Sequence, residues 1–426
     1  MASVSNIPNW LQVALEKPVA VFGSGVSGES AKGLLELIGG TVVVYDESES
    51  GLTFDDVESA RIGLVVLSPG FAVDHRWVAV ARQSGCHIVG EVDLASLFWS
   101  GPIVAITGTN GKTTLTEFLT HAFVYAGMEA YSVGNIGTPL SARVVDGTNT
   151  ESVAVCELSS FQTETLQHMS PDYVLWTNFD EDHLDRHETM ESYFTAKYQL
   201  VERAVERGVY YDESVASAAA EYGRSLDSAG LVERLEQSIR ERLEGTALAD
   251  GIGLRCFAMA ASVWKAWGLD IEVLLEATRD FKKSPHRMEQ VGEIDGVGYW
   301  NDSKATNFHA ALGALGSFAG PVHWIGGGKS KGGDIVGFAN HVLSHVKAVY
   351  LVGETKFELQ SVFLEHDLEA PVFECLESAL SAVQANVQSG DQVVFSPGFA
   401  SFDQFEGYAQ RGDFFKKAVA EIGILK

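Results

Sequence analysis

Cysteine is scarce and unpatterned: Cys86, Cys156, Cys256 and Cys375 are scattered along 426 residues with no CxxC and no paired spacing. That argues against a disulfide framework and for buried free thiols in a reducing compartment. Long apolar runs are also missing. No stretch approaches the roughly 18 uncharged apolar residues of a membrane-spanning helix. The N-terminal segment MASVSNIPNWLQVALEKPVAVFGSG has no basic lead into an apolar core and no cleavage-like site. The expectation is a soluble, cytoplasmic chain with no membrane insertion. Positive charge is the third shortage, with 30 Lys and Arg against 57 Asp and Glu, a formal charge of −27. This balance repels phosphate backbones and anionic lipid, and no Lys/Arg run offers a local basic patch, so nucleic acid is excluded as a partner. Low-complexity tracts and repeats are absent too.

What the chain does have is length and glycine: 426 residues, 46% of them hydrophobic, and 43 glycines. At roughly 100–200 residues per domain, this predicts two to four domains. Short, continuously apolar, β-branched runs at 18–25, 41–46 and 62–70 read as parallel strands separated by helices, a βαβ series. A second series starts at PIVAITGTNGKTT (102–114), with strands at 152–158 and 172–179. The segment 213–246 reads as charged helix and 254–267 as apolar helix; a third series follows SPHRME (284–289). The expected fold class is α/β in three domains with boundaries near 99 and 284: 1–98 Rossmann-like, 99–284 a central P-loop mononucleotide-binding ATPase domain, and 285–426 Rossmann-like.

The strongest chemical signal is Gly108-Thr109-Asn110-Gly111-Lys112-Thr113-Thr114, between a strand and a helix. Backbone N–H groups and a helix N-terminus hold polyphosphate oxygens there, the lysine neutralises β/γ charge, and a hydroxyl ligates Mg²⁺. Gly23-Ser24-Gly25-Val26-Ser27-Gly28, with Asp46 after the next strand, is a diphosphate-and-sugar fingerprint that suits a UDP-linked ligand as well as NAD. Ser68-Pro69-Gly70 ends a third strand at the same sheet edge. Glu157 closes another strand, and Asn178-Phe179-Asp180-Glu181-Asp182-His183-Leu184-Asp185 gathers carboxylates around an imidazole, a donor set for Mg²⁺ or Mn²⁺. Asp180, Glu181 and Asp185 read rather as a solvated acidic loop, while Glu157 and His183 read as metal ligands. Lys197, by sequence logic, is a surface lysine.

Taken together, TGTNGKTT, GNIG (134–137), ELSSFQ, TNFDEDHLDRH, PHRME, NDSKATN and SPGFASFDQFEGYAQRG resemble the Mur ligase family, through all three domains, most closely the branch that adds D-glutamate. The resemblance implies an ATP-dependent, amide-forming ligase of peptidoglycan precursor synthesis, in the order UDP-substrate domain, ATPase domain, amino-acid domain. Its partners would be UDP-N-acetylmuramoyl-L-alanine, D-glutamate and ATP, its cofactor two Mg²⁺ ions, with Mn²⁺ as substitute, and its state monomeric. A sister ligase adding another amino acid, or a non-catalytic UDP-muropeptide-binding protein, is the alternative.

The same resemblance implies roles by position. Lys112 and Thr113 hold ATP phosphates and one Mg²⁺, with Glu157 near that ion. His183 and a carbamate on Lys197 ligate the second. Arg287 and Asp302 wall the ATP site. Val26, Ser27, Asp46 and Ser68 contact the UDP portion, and Asn135 the muramoyl part. Lys304, Thr306, Lys331, Ser401, Phe402 and Tyr408 receive D-glutamate. One segment departs: the family's G-x-H-N, whose Asn contacts adenine, has neither His nor Asn here in Asp250-Gly251-Ile252-Gly253-Leu254-Arg255-Cys256.

Overall fold

A computed structural model of the chain describes residues 7–47, 53–69, 71, 73–147, 149–205 and 208–424. Gly70 of the Ser68 turn lies outside the described residues. The chain folds into two compact units, one of Met1–Phe179, Phe194–Thr246 and Arg255–Phe281, the other of Asp180–Tyr193, Ala247–Leu254 and Lys282–Lys426.

The first unit carries two all-parallel sheets. In one, β1 (Val19–Phe22), β2 (Val42–Tyr45), β3 (Leu64–Leu67) and β4 (His87–Gly90) lie in the order β2-β1-β3-β4. Strands covered on both faces need apolar residues at every position, and VAVF and LVVL supply them. Val19 and Val21 enter one core while Ala20 and Phe22 enter another with Tyr45 and Trp77. The second sheet runs β6 (Ala130–Gly134), β7 (Val153–Glu157), β5 (Ile103–Thr107), β8 (Tyr173–Trp176), β9 (Val209–Tyr211). A single core that includes Val21, Val66, Trp99, Ala105 and Val174 spans both sheets. The fully buried Asp93 pins them further, accepting from the N–H groups of Gln167, His168 and Met169 at 2.8–2.9 Å.

In the second unit, β10 (Glu289–Ile294), β11 (Val297–Asn301), β12 (Val322–Gly326), β13 (Ala348–Leu351) and β14 (Gln392–Phe395) pair in the order β10-β11-β14-β12-β13. Alternation sorts the side chains: Trp324 and Val394 face one core, Ile325, Val393 and Phe395 the other. β10 is antiparallel to β11. Asp295 and Gly296, with φ of +53° and +77°, make its two-residue turn, the Asp-Gly chemistry a tight hairpin needs.

The expected strands all form. The expected charged helix over 213–246 does not: it breaks into helices Glu213–Glu221 and Gln237–Leu243 around a 3₁₀ turn, Ser228–Gly230. Gly223, at φ +64°, follows the first helix, and Gly230 packs so closely on Val209 that a Cβ would lie 1.9 Å from its carbonyl oxygen. Among the described residues, no helix is long and apolar enough to cross a membrane.

Candidate active site

β5 lies between β7 and β8, so the turns after those three strands meet at one carboxyl edge, where the strand order switches direction. The turn after β5 is the phosphate-type loop. Gly108 has φ +140°, and a Cβ there would lie 2.0 Å from Thr177 Oγ1. Gly111, at φ +82°, caps helix Lys112–Tyr125, whose first turn buries Thr113 and Thr114. Thr109 and Asn110 are held from β8's end: Thr109 N donates to Asn178 O at 3.1 Å and Asn110 N to Asn178 Oδ1 at 2.9 Å. Asn110 O accepts from Thr177 Oγ1 at 2.6 Å and Asn178 Nδ2 at 3.0 Å. Thr177 and Asn178 thus shape the loop, a role the sequence reading missed; its signal was a Thr-Asn pair closing a neighbouring strand.

Lys112 Nζ folds over its own loop, donating to Gly108 O and Thr109 O at 2.8 Å. Lys197 overturns the surface reading. It is 1% exposed, and its Nζ donates to the same Gly108 O at 2.9 Å and to Thr107 Oγ1 at 3.4 Å. Two ammonium groups therefore converge on one carbonyl. Glu157, at the end of β7, is also 1% exposed. Its Oε1 accepts from Asn135 Nδ2 at 2.8 Å, while Oε2 is buried with no hydrogen-bond partner among the described residues. An orphaned carboxylate oxygen is costly unless a cation or donor completes it, so this donor fits a hard divalent ion. Among the described residues, no three His, Cys, Asp or Glu side chains form a metal cage by themselves.

The N-terminal glycine turn is equally constrained. Gly23 has φ +97°, and a Cβ on Gly28 would sit 1.9 Å from Gly23 O, so helix Val26–Leu37 packs directly on the turn. Asp46 Oδ2 accepts from both Ser24 N and Ser24 Oγ at 2.7 Å, and Ser68 Oγ donates to Gly23 O at 3.3 Å. Val26 is 76% exposed at the helix start, beside the half-buried Ser27. Next to Ser68 opens a cleft of about 310 Å³ lined by Leu67, Phe71, Phe161, Glu91 and Gln162 among others. Among the described residues, the buried Glu91 Oε2 and Gln162 Nε2 find no hydrogen-bond partner there. Burial pushes the Glu91 carboxyl up, against the hydrogen bonds that Ser141 gives it.

The second unit holds the other predicted residues. Asp302 is buried, accepting from Ser396 Oγ at 2.7 Å and Met288 N at 3.1 Å. Burial drives its carboxyl up to about 7, although Ser396, the Met288 amide and the nearby Arg287 and Lys283 oppose the rise. A cleft of about 310 Å³ is lined by Asp182, His183, Thr306, Asn307 and Lys331 with Phe308 and Phe399. His183 sits in the left-handed region at φ +56°, its N–H donating to Asp182 Oδ1 at 2.9 Å. Lys304 Nζ lies 3.8 Å from the centroid of the Tyr408 ring, a cation–π contact. Ser401 is buried, and Phe402 is 68% exposed. Arg411, another residue missed in the sequence, is buried and donates to Ser303 O and Oγ, Phe399 O and Ala400 O at 2.9–3.2 Å. It clamps together the two loops that carry Lys304 and Ser401. His183 and Lys197, expected to share an ion, belong to different units.

Two family models match the chain: the Mur ligase middle domain over residues 106–229, and the Mur ligase glutamate ligase domain over 286–399. A UDP-N-acetylmuramoylalanine–D-glutamate ligase from Caldanaerobacter subterraneus subsp. tengcongensis is 32% identical over 96% of this chain and 99% of its own length. The chain belongs to the Mur ligase family. A ligase of the same name from Geobacter sp. (strain M21) is 36% identical over 84% of this Mur ligase and 83% of its own length. Among solved structures, a UDP-N-acetylmuramate-alanine ligase from Thermotoga maritima aligns over 95% of this chain and 99% of its own with a TM-score of 0.61 at 14% identity. The MurF ligase of Thermotoga maritima in complex with ADP aligns over 87% and 97% at TM-score 0.56 and 16% identity. The fold is thus that of Mur ligases.

The segment without the family's His and Asn opens helix Gly251–Ala266. Asp250 Oδ1 accepts from Gly253 N at 2.5 Å, and Cys256 Sγ donates to Gly111 O at 3.5 Å, behind the phosphate-type loop. No carboxamide lies in this stretch to read adenine. GTP should therefore support turnover within about tenfold of ATP, since one missing base contact is worth about 1–3 kcal/mol. Steady-state rates with the two nucleotides check this; strict dependence on ATP would assign base choice to other residues.

Proposed function

We propose that this Mur ligase joins D-glutamate to UDP-N-acetylmuramoyl-L-alanine, using ATP to activate the L-alanyl carboxylate as an acyl phosphate. The observation that carries the reading is the pair of ammonium groups, Lys112 and Lys197, at Gly108 O after β5, with the orphaned Glu157 Oε2 at the end of the neighbouring strand β7. Full-length relatives named for D-glutamate addition supply the substrate class. We assign 1–98 to the UDP substrate, 99–284 to ATP and 285–426 to the amino acid.

The chemistry follows from where negative charge collects. The alanyl carboxylate attacks the γ-phosphorus, ADP leaves, the D-glutamate amine attacks the acyl carbonyl, and phosphate departs. Lys112 exchanges its loop carbonyls for β/γ-phosphate oxygens, while the N–H groups at the start of helix Lys112–Tyr125 take the remaining oxygens. Arg287 and Asp302 form the nucleotide wall. Thr113, Glu157 and a carbamylated Lys197 of the first unit would hold Mg²⁺, which when bound neutralises the phosphates and polarises the phosphorus–oxygen bonds, and His183 of the second unit is the further metal candidate. Ser68, Asp46, Val26, Ser27 and Asn135 orient the UDP-muramoyl substrate. Lys304, Thr306, Lys331, Ser401, Phe402 and Tyr408 receive the amino acid, on loops that Arg411 holds.

Phosphate release from ATP, measured with UDP-N-acetylmuramoyl-L-alanine and a panel of amino acids, tests the reading. D-glutamate should be preferred over L-glutamate and D-aspartate by at least about a hundredfold. A preference for another amino acid would make this a sister ligase, and no turnover with any would leave a binding protein.

A further inference from the structure

Among the described residues, six that are not glycine have positive φ, and two of them, His286 at +67° and Met288 at +47°, stand on either side of Arg287. A left-handed backbone is unfavourable for any residue with a Cβ, so it persists only where neighbours hold it. Here the holding is dense. His286 is buried, and its N–H donates to Glu289 Oε2 at 3.0 Å, a carboxylate fixed in turn by Lys416 Nζ at 2.6 Å from Oε1. Its ring meets the fully buried Asn301, whose Nδ2 lies 2.9 Å from His286 Nδ1 and also donates to Gly412 O at 3.2 Å. Asn301 Oδ1 accepts from Ser303 N at 3.2 Å, which fixes the way the carboxamide points. His286 Nδ1 is therefore the acceptor, and its proton sits on Nε2, 3.6 Å from Asp413 Oδ1. A Cβ on Gly412 would lie 2.3 Å from Nδ1, so helix Tyr408–Ile424 packs directly on the ring.

This turn reaches two of the proposed ligand walls at once. Met288 N donates to Asp302 Oδ1 at 3.1 Å, and His286 O accepts from Lys304 N at 3.1 Å. We propose that His286 is a positioning residue: its neutral imidazole, accepting from Asn301, holds the left-handed turn that carries Arg287 and braces Asp302 and Lys304, so that nucleotide and amino-acid binding depend on one hydrogen bond. The inference rests on the proposed roles of Arg287, Asp302 and Lys304, and it adds a residue with no ligand contact of its own.

The protonation state of the ring then matters. A proton on Nδ1 would set a donor against the donor of Asn301. Burial and Lys416 oppose that proton, while Asp413 and Glu289 favour it; the Tyr408 ring, 6.3 Å away, is the remaining titratable neighbour. Burial prevails and holds the imidazole below its ordinary 6.5. The hydrogen bond is thus intact at neutral pH and is lost as the solution turns acid.

The test is steady-state kinetics of His286→Ala, His286→Gly and His286→Asn. Asparagine tolerates the left-handed region and puts Oδ1 near the place of Nδ1; glycine relieves the backbone but removes the acceptor; alanine does neither. The alanine and glycine variants should raise KM for ATP and KM for D-glutamate together, each by at least about tenfold, with His286→Asn within about threefold of wild type. In wild type both KM values should climb below pH ~6.5, and His286→Asn should lose that climb. A purely structural role would instead cost folded enzyme, lowering apparent kcat with KM unmoved. Recovery by glycine, movement of one KM alone, a fall in kcat alone, or an acid climb that persists in His286→Asn would each overturn the proposal. The pH comparison decides even if the alanine variant does not fold. Arg287→Ala and Lys304→Ala are the controls: if they leave KM for ATP and for D-glutamate unchanged, the ligand reading of those residues fails and the proposal with it. If they raise those values and His286→Ala does not, the proposal alone falls.

Discussion

Lys197→Ala should lower turnover by at least about a thousandfold while leaving the circular dichroism spectrum and melting profile close to wild type. The side chain is buried and shares the Gly108 carbonyl with Lys112. Two cations on one acceptor repel, and the proposed reaction of Lys197 with CO₂ would replace one of them with an oxygen-donor anion. That change would turn the repulsion into attraction and add a ligand of the kind Mg²⁺ takes. Lys197→Arg separates the alternatives, because arginine keeps the positive charge and cannot form the carbamate. It should be as inactive as the alanine variant. Activity should also fall in buffers stripped of CO₂ and return on adding bicarbonate. Near-wild-type turnover of Lys197→Arg, or indifference to bicarbonate, would dispose of the carbamate and leave Lys197 as a plain cation. The stability half of the prediction has its own reason: Lys197 Nζ bonds the sheet edge that carries the functional loop, Thr107 Oγ1 at the end of β5 and Gly108 O just beyond it.

The residues legible in the sequence are those whose chemistry depends on backbone geometry at fixed offsets. Gly108, Gly111 and Lys112 announce their loop because only glycine reaches φ +140° against Thr177, and only a lysine at the helix start can fold back over the turn. Central strands such as VAVF and LVVL are equally plain, being apolar at every position. β4, β6, β9 and β10, all of them edge strands, escape the reading, whereas the edge strands β2 and β13 are apolar enough to be legible. With one side open to solvent, edge strands tolerate polar residues, as HIVG and EQVGEI show. For β10 the signal was there in Asp295-Gly296. Lys197 was hidden by residue type. Yet it follows Tyr193 and Phe194, both buried, by four and three positions, which on a helix puts it on their face. Arg411 is parallel, sharing its helix face with the buried Phe415 and Val419. In each case the apolar period was right, and a charged residue standing within it was the mark of a polar group recruited to a loop.

Asp302→Asn should move stability and activity in opposite directions. Burial raises the Asp302 carboxyl from its ordinary value near 3.8 to about 7, so the folded protein holds this proton more tightly than the unfolded chain does. Stability from this group is therefore greatest below pH ~4, declines as pH rises toward 7, and stays at its low plateau above that. A rise of that size is worth about 4 kcal/mol at most. Asparagine removes that penalty: its carbonyl oxygen can accept from Met288 N, and its amide can donate to Ser396 Oγ, whose hydroxyl reorients. At pH 8 the variant should melt above wild type by several degrees, and the gap should close as pH is lowered to ~4. On the proposed nucleotide-wall role, activity should fall by about a hundredfold through KM for ATP, because there an ionised carboxylate would hold a ribose hydroxyl more strongly than an amide. A variant less stable than wild type at pH 8, or one with an unchanged KM for ATP, would show that Asp302 serves the fold instead.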